Sequence, residues 1–254
     1  MGASHRTRPS TAALLALMAL LSTTTGCEQQ PPARGFAVRY EDPDPADAAD
    51  ARLLRDRQVA ETATEALNAY LSLPRQVTVL ARSCAGEGSG YDPGTREIEL
   101  CYDDLAEQRE LFESAGHHPA DEEAAAVLTE TVYHEAGHAL IDALHLPVDG
   151  DRAEEDAADG FAALMLIRQG PTGERTLRTA AQAYDLAAAT DPDPAPDADE
   201  HAPPAARAAA HLCRLHTASP TRHPDLAPRT HACTPTWPQT RDPWTRDLAP
   251  FLRR

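Results

Sequence analysis

Read for the spacing of its apolar residues, the chain divides into a short N-terminal apolar run, a helical stretch, two strand-like segments and a long helical region. Over residues 47–73 the apolar positions Leu53, Val59, Ala63, Leu67, Tyr70 and Leu71 fall at helical intervals, and Pro74 stops them. Residues 76–81 favour a strand, and 97–102 alternate polar with apolar, with the turn Tyr91-Asp92-Pro93-Gly94 between them. They predict a hairpin or two neighbouring strands of a small sheet. Helical periodicity returns over about 120–144, 152–168, 173–189 and 203–216, with a surface loop rich in Asp and Pro at 190–198. The stretch from there to Arg254 carries no pattern that assigns it. Many helices beside a small sheet predict an α+β fold, with a single domain over 47–254.

The apolar run at 12–21 follows His5, Arg6 and Arg8. It is far shorter than the roughly 20 residues that cross a bilayer, and its layout is that of a signal peptide over 1–26. The run leads into Thr24-Thr25-Gly26-Cys27, which resembles a bacterial lipobox except at Thr24, where leucine is usual. The expectation is cleavage before Cys27 and an exported protein held on the outer face of the cell membrane by a lipid on that cysteine. Plain secretion, with Cys27 as an odd free thiol, is the alternative. Residues 27–46, with Pro31-Pro32 and Glu41-Asp42-Pro43-Asp44-Pro45, predict a flexible tether.

Charge narrows the partners. The formal net charge is −17, and every basic residue is arginine. Losing Arg6 and Arg8 with the leader leaves 21 arginines against 40 acids, or −19. Such a surface repels nucleic acid and anionic lipid, so no nucleic-acid partner is expected. Setting Cys27 aside leaves Cys84, Cys101, Cys213 and Cys233, an even number suited to an oxidising compartment. Of three connectivities, nearness in sequence favours Cys84–Cys101 and Cys213–Cys233.

The densest chemistry lies at His134-Glu135-Ala136-Gly137-His138. In a helix, residues four apart stand one above the other, so two imidazoles meet one point, as zinc requires. Glu135, turned partly aside, can take a proton from an attacking water. The flanking residues Val132-Tyr133 and Ala139-Leu140-Ile141 make a buried helix, where two histidines need partners. A third protein ligand is required. The metzincin pattern would place glycine at 141 and histidine at 144, whereas the chain has Ile141 and Leu144. His145 lies at the wrong angle. The next helix offers Glu154-Glu155-Asp156-Ala157-Ala158-Asp159, and Glu155 with Asp159 resembles the gluzincin arrangement of thermolysin-like enzymes. That resemblance implies Glu155 as a zinc ligand and Asp159 as acceptor from a zinc-bound histidine. Glu154, Asp156 and Asp159 remain alternative ligands, and Asp142 is either a supporting acid or a solvated one.

Taken together, Cys101-Tyr102, Tyr133 to Asp142, Leu146-Pro147 and Glu154 to Asp159 resemble a bacterial family labelled "putative metallopeptidase", a domain of unknown function. Asp199-Glu200-His201 and the pair Cys213/Cys233 resemble its C-terminal portion. The resemblance implies a zincin-like fold and zinc-dependent hydrolysis of a peptide or protein substrate. By analogy with thermolysin-like enzymes, His201 would stabilise the oxyanion. His117-His118 reads as a solvated loop. A substrate would add as a strand to a sheet edge near 97–102. The competing readings are a non-catalytic lipoprotein whose zinc serves structure or binding, and a metal-dependent amidase of the cell wall.

Overall fold

In the computed structural model, residues 1–2, 34–190, 201–229 and 233–253 are described. One sheet holds β1 (Gly35–Tyr40), β2 (Gln76–Arg82), β3 (Gly90–Asp92) and β4 (Glu97–Cys101) in the spatial order β1-β2-β4-β3. Strands β1, β2 and β4 run parallel, with Val38 opposite Val79 and Val79 opposite Ile98. Strand β3 returns antiparallel to β4 and forms one edge. Residues two apart share a face of a strand, so Phe36, Val77, Val79, Ile98 and Leu100 turn together into the core. Arg39, Arg82, Glu97 and Glu99 turn the other way and pair across strands at 2.8 Å.

Of the two arrangements expected for 76–81 and 97–102, the structure has neighbouring strands, paired in parallel and not as a hairpin. The hairpin joins β3 to β4 through the predicted turn, where Asp92 accepts a bond from the Gly94 amide at 2.7 Å. The predicted tether fails for its second half. Gly35–Tyr40 alternates large apolar with smaller or charged residues and pairs with β2, so the domain starts before residue 47.

The helices are α1 (Ala48–Asp56), α2 (Val59–Tyr70), α3 (Tyr102–Ser114), α4 (Asp121–Leu144), α5 (Asp151–Arg168), α6 (Pro171–Thr190), α7 (Pro204–Ala218) and α8 (Trp237–Leu248). The expected first helix is two, because Gln58 takes a left-handed conformation at φ 52° and breaks it. Helix α3 had no sequence expectation, and neither did α8. The latter starts at a reciprocal Thr236–Gln239 cap and docks through Trp244, whose indole bonds the Ala157 carbonyl at 3.0 Å. Helix α4 is apolar nearly all round and is correspondingly buried, touching α2, α3, α5, α6 and the β3–β4 edge. Its closest crossing is with α5, at Gly137. A Cβ there would lie 2.8 Å from the Ala158 Cα, so only glycine lets the two helices meet.

Disulfides Cys84–Cys101 and Cys213–Cys233 are both present. The described residues from Arg34 onwards belong to one compact unit. Leader, Cys27 and the Asp-Pro loop fall outside the described residues, apart from residues 1–2 and the loop's first residue, Thr190. Among the described residues, no helix is long and apolar enough to cross a membrane.

Candidate metal centre

Helix α4 carries His134 and His138 one turn apart, with their Nε2 atoms 3.2 Å from each other. The Gly137 crossing brings α5 near enough for Glu155 to meet both rings. Its Oε2 is 3.1 Å from His134 Nε2, and its Oε1 is 3.4 Å from His138 Nε2. The far side of each ring is held by another acid. His134 Nδ1 is 2.9 Å from Asp159 Oδ1, and His138 Nδ1 is 3.0 Å from Glu154 Oε1. A carboxylate at Nδ1 assigns the proton of a neutral ring to that nitrogen and leaves the Nε2 lone pair free.

These residues fit a metal ion. Tetrahedral bonds of about 2.0–2.1 Å place ligand atoms about 3.3–3.4 Å apart. Here the two Nε2 atoms are 3.2 Å apart, and each faces a different oxygen of Glu155, at 3.1 and 3.4 Å. Lone pairs facing one another and a carboxylate at such range repel unless a cation lies between them. Glu155 Oε2 is buried and, among the described residues, makes no hydrogen bond of sound geometry, although imidazole nitrogens stand within 3.1 Å. Charges show the same demand for a cation. Burial works against a charged His134, yet bonds with Asp159 and Glu155 push its pKa up to about 10. Glu155 is held far below the usual carboxylate range, because three imidazoles outweigh its burial. Burial raises Glu135, more than the nearby histidines lower it.

The centre opens on a cleft of about 500 Å³, whose walls include Glu135 beside the two rings and Gly90 and Tyr91 of β3 opposite. His201 reaches the same place. Its Nε2 is 2.8 Å from Glu155 Oε2, and its ring stacks on His134 at 5.7 Å. Arg152 donates to the His201 carbonyl at 2.7 Å. One ligand atom each from His134, Glu155 and His201 lie within 4.8 Å of one another. Cys84, Cys101 and Asp103 also cluster, but both sulfurs are spent in a disulfide.

Of the alternative ligands, Glu154 and Asp159 meet Nδ1 atoms, and exposed Asp156 faces Arg152 at 3.7 Å. Asp142 accepts the Tyr91 hydroxyl at 2.8 Å and lines the cleft. His145 caps α4 in a left-handed conformation and is not among the residues lining the cleft. His117 is less free than a solvated loop residue, contacting Glu123 at 3.4 Å and Gln182 at 3.1 Å.

Sequence reasoning missed Arg207, which grips Asp159, and the buried set Glu130, His211 and Arg214 behind it. Their only sequence signal is charge placed within the apolar faces of α4 and α7.

A family model described as "Putative metallopeptidase" matches residues 40–248. No curated protein and no solved structure matches the chain.

Proposed function

The chain belongs to the family described as "Putative metallopeptidase", and from that premise we propose that it hydrolyses peptide bonds using one zinc ion held by His134, His138 and Glu155. The observation that carries this reading is the convergence of two Nε2 atoms 3.2 Å apart on one carboxylate, His134 at 3.1 Å from Oε2 and His138 at 3.4 Å from Oε1 of Glu155. When bound, zinc acidifies water and polarises the scissile carbonyl. Glu135, buried at the cleft wall, takes the proton of the attacking water and returns it to the leaving amine. Asp159 and Glu154 hold the two rings so that each presents Nε2. His201 donates to the oxyanion of the tetrahedral intermediate, its backbone fixed by Arg152.

The substrate's place is revised from the sequence expectation. Strand β4 is paired on both sides, whereas β3 is the edge and borders the cleft. An extended peptide adding to β3 would lie across the metal. Export, and anchoring through a lipid on Cys27, belong to the same proposal, and mass spectrometry of the mature N-terminus tests them.

The deciding experiment measures zinc content and cleavage of an unstructured protein for wild type and Glu135→Gln. Wild type is expected to hold one zinc and cleave. Glu135→Gln should keep the zinc and lose about 10²–10⁴ in rate. A zinc-free wild type overturns the proposal.

The 2.8 Å approach of His201 to Glu155 favours one second reading, a closed structural site with His201 as fourth ligand. His201→Ala separates the two: a lost oxyanion donor lowers rate at unchanged zinc affinity, while a lost ligand lowers the affinity itself.

A further inference from the structure

We propose that Arg207 is a positioning residue of the metal centre, fixing Asp159 and, through Asp159, the ring of His134. The inference rests on the zinc reading above.

Asp159 sits on α5 and is almost wholly buried. Its Oδ1 meets His134 Nδ1 at 2.9 Å, but one bond leaves a carboxylate free to turn about its own axis. Arg207, arriving from α7, removes that freedom. Its Nε donates to Oδ2 at 3.0 Å and its Nη2 to Oδ1 at 2.6 Å, a two-point fork that sets the carboxylate plane. Nη2 also lies 3.4 Å from His134 Nδ1, so guanidinium, carboxylate and imidazole form one contiguous group.

The fork is itself held. The guanidinium lies over the Tyr184 ring, 4.3 Å from its centroid, and the Arg207 side chain is only 12% exposed. One turn further along α7, His211 meets Glu130 of α4 at 3.2 Å and Arg214 at 3.1 Å, all three buried. That network ties α7 to the helix bearing the metal-facing histidines, so Arg207 is held in place against the helix that carries its target. A structural salt bridge would need only charge and contact. Two bonds in the plane of an acid that orients a ligand ring are what control of the ligand requires.

The test measures zinc affinity by chelator competition, and the visible spectrum of the cobalt-substituted protein, for wild type, Arg207→Ala, Arg207→Lys and Asp159→Ala. Arg207→Ala is expected to bind zinc at least about tenfold more weakly and to shift the cobalt bands, with partial recovery on adding methylguanidinium. Arg207→Lys, which keeps charge but offers a single point, should fall between it and wild type. In the Asp159→Ala background, Arg207→Ala should have no further effect on affinity. Zinc affinity within twofold of wild type and unchanged cobalt bands in Arg207→Ala overturn the proposal. If that variant does not fold, the same result in Arg207→Lys overturns it. A wild type that binds no zinc sinks the zinc reading, and this inference with it; a normal wild type beside an unaffected variant sinks this inference alone.

Discussion

Among the places that set histidine against a buried glutamate, those at Glu174 and Glu155 are built in opposite ways. Glu174 on α6 is surrounded by donors. It accepts from Ser219 Oγ at 2.8 Å, from Arg222 Nε at 2.8 Å and from His223 Nε2 at 3.0 Å. Arg222 Nη2 adds a further bond. Both oxygens are satisfied by protein alone, and the cluster clamps the segment after α7 onto α6. Glu155 has the reverse surroundings. The rings of His134 and His138 have their Nδ1 atoms committed to other acids, so when neutral they turn two lone pairs towards a carboxylate whose Oε2 has no well-formed hydrogen bond among the described residues. A carboxylate ringed by donors is finished structure. A carboxylate facing the free nitrogens of two neutral rings has a place for positive charge, a proton or a metal ion.

The comparison breaks first, and most visibly, on metal removal. Chelation is expected to abolish cleavage and to lower the melting temperature, with zinc restoring both. Zinc at a thousandfold excess over its Kd contributes about 4 kcal/mol to folding. If melting is indifferent to chelator, the two clusters are of one kind.

Next in size is Glu174→Gln, expected to cost about 1.5–3 kcal/mol in denaturant titration while zinc affinity stays unchanged. Its pH dependence gives a sign to check. Bonds from Arg222, with those from Ser219 and His223, lower the Glu174 pKa from 4.5 to about 2. A lowered folded-state pKa stabilises fully above the unfolded value and is lost as pH falls through the folded one. The stability gap between wild type and variant should therefore be flat above pH 4.5 and close towards pH 2. A gap that widens on acidification would refute the assignment.

The smallest effect is expected from Tyr91→Phe. It removes the bond that ties edge strand β3 to Asp142 of α4, at about 1 kcal/mol. Zinc affinity should not move, whereas KM for an extended peptide should rise. An unchanged KM would argue against β3 as the docking edge.

The sequence carried the convergence of the candidate metal-site residues further than the sheet. His134, Glu135 and His138 were legible because helical spacing alone makes them converge, and Glu155 with Asp159 because they repeat that spacing on the next helix. The disulfides were legible from proximity along the chain. Strand β3 is three residues long, too short to show alternation, and β1 was obscured by the prolines before it. Helix α3 buries only Tyr102, Leu105 and Phe112, a sparse stripe in a run of charges. Helix α8 holds Pro243 in its interior, which argues against a helix until Trp244 is seen docked on Phe161 at 4.9 Å. Arg207 was illegible for a different reason: its meaning lies in a partner 48 residues away.

Gly137 lies between His134 and His138 and has no side chain to coordinate anything, yet it acts as the gauge of the proposed site. The distance from His134 and His138 to Glu155 is set by how closely α4 and α5 meet at this one residue, where a Cβ would press on Ala158. A thicker contact would spread the donors and lengthen every bond to an ion between them. Ala158 has only a methyl group left to give up in compensation. On the zinc reading, the calibre of the ion is thus written in the absence of a side chain.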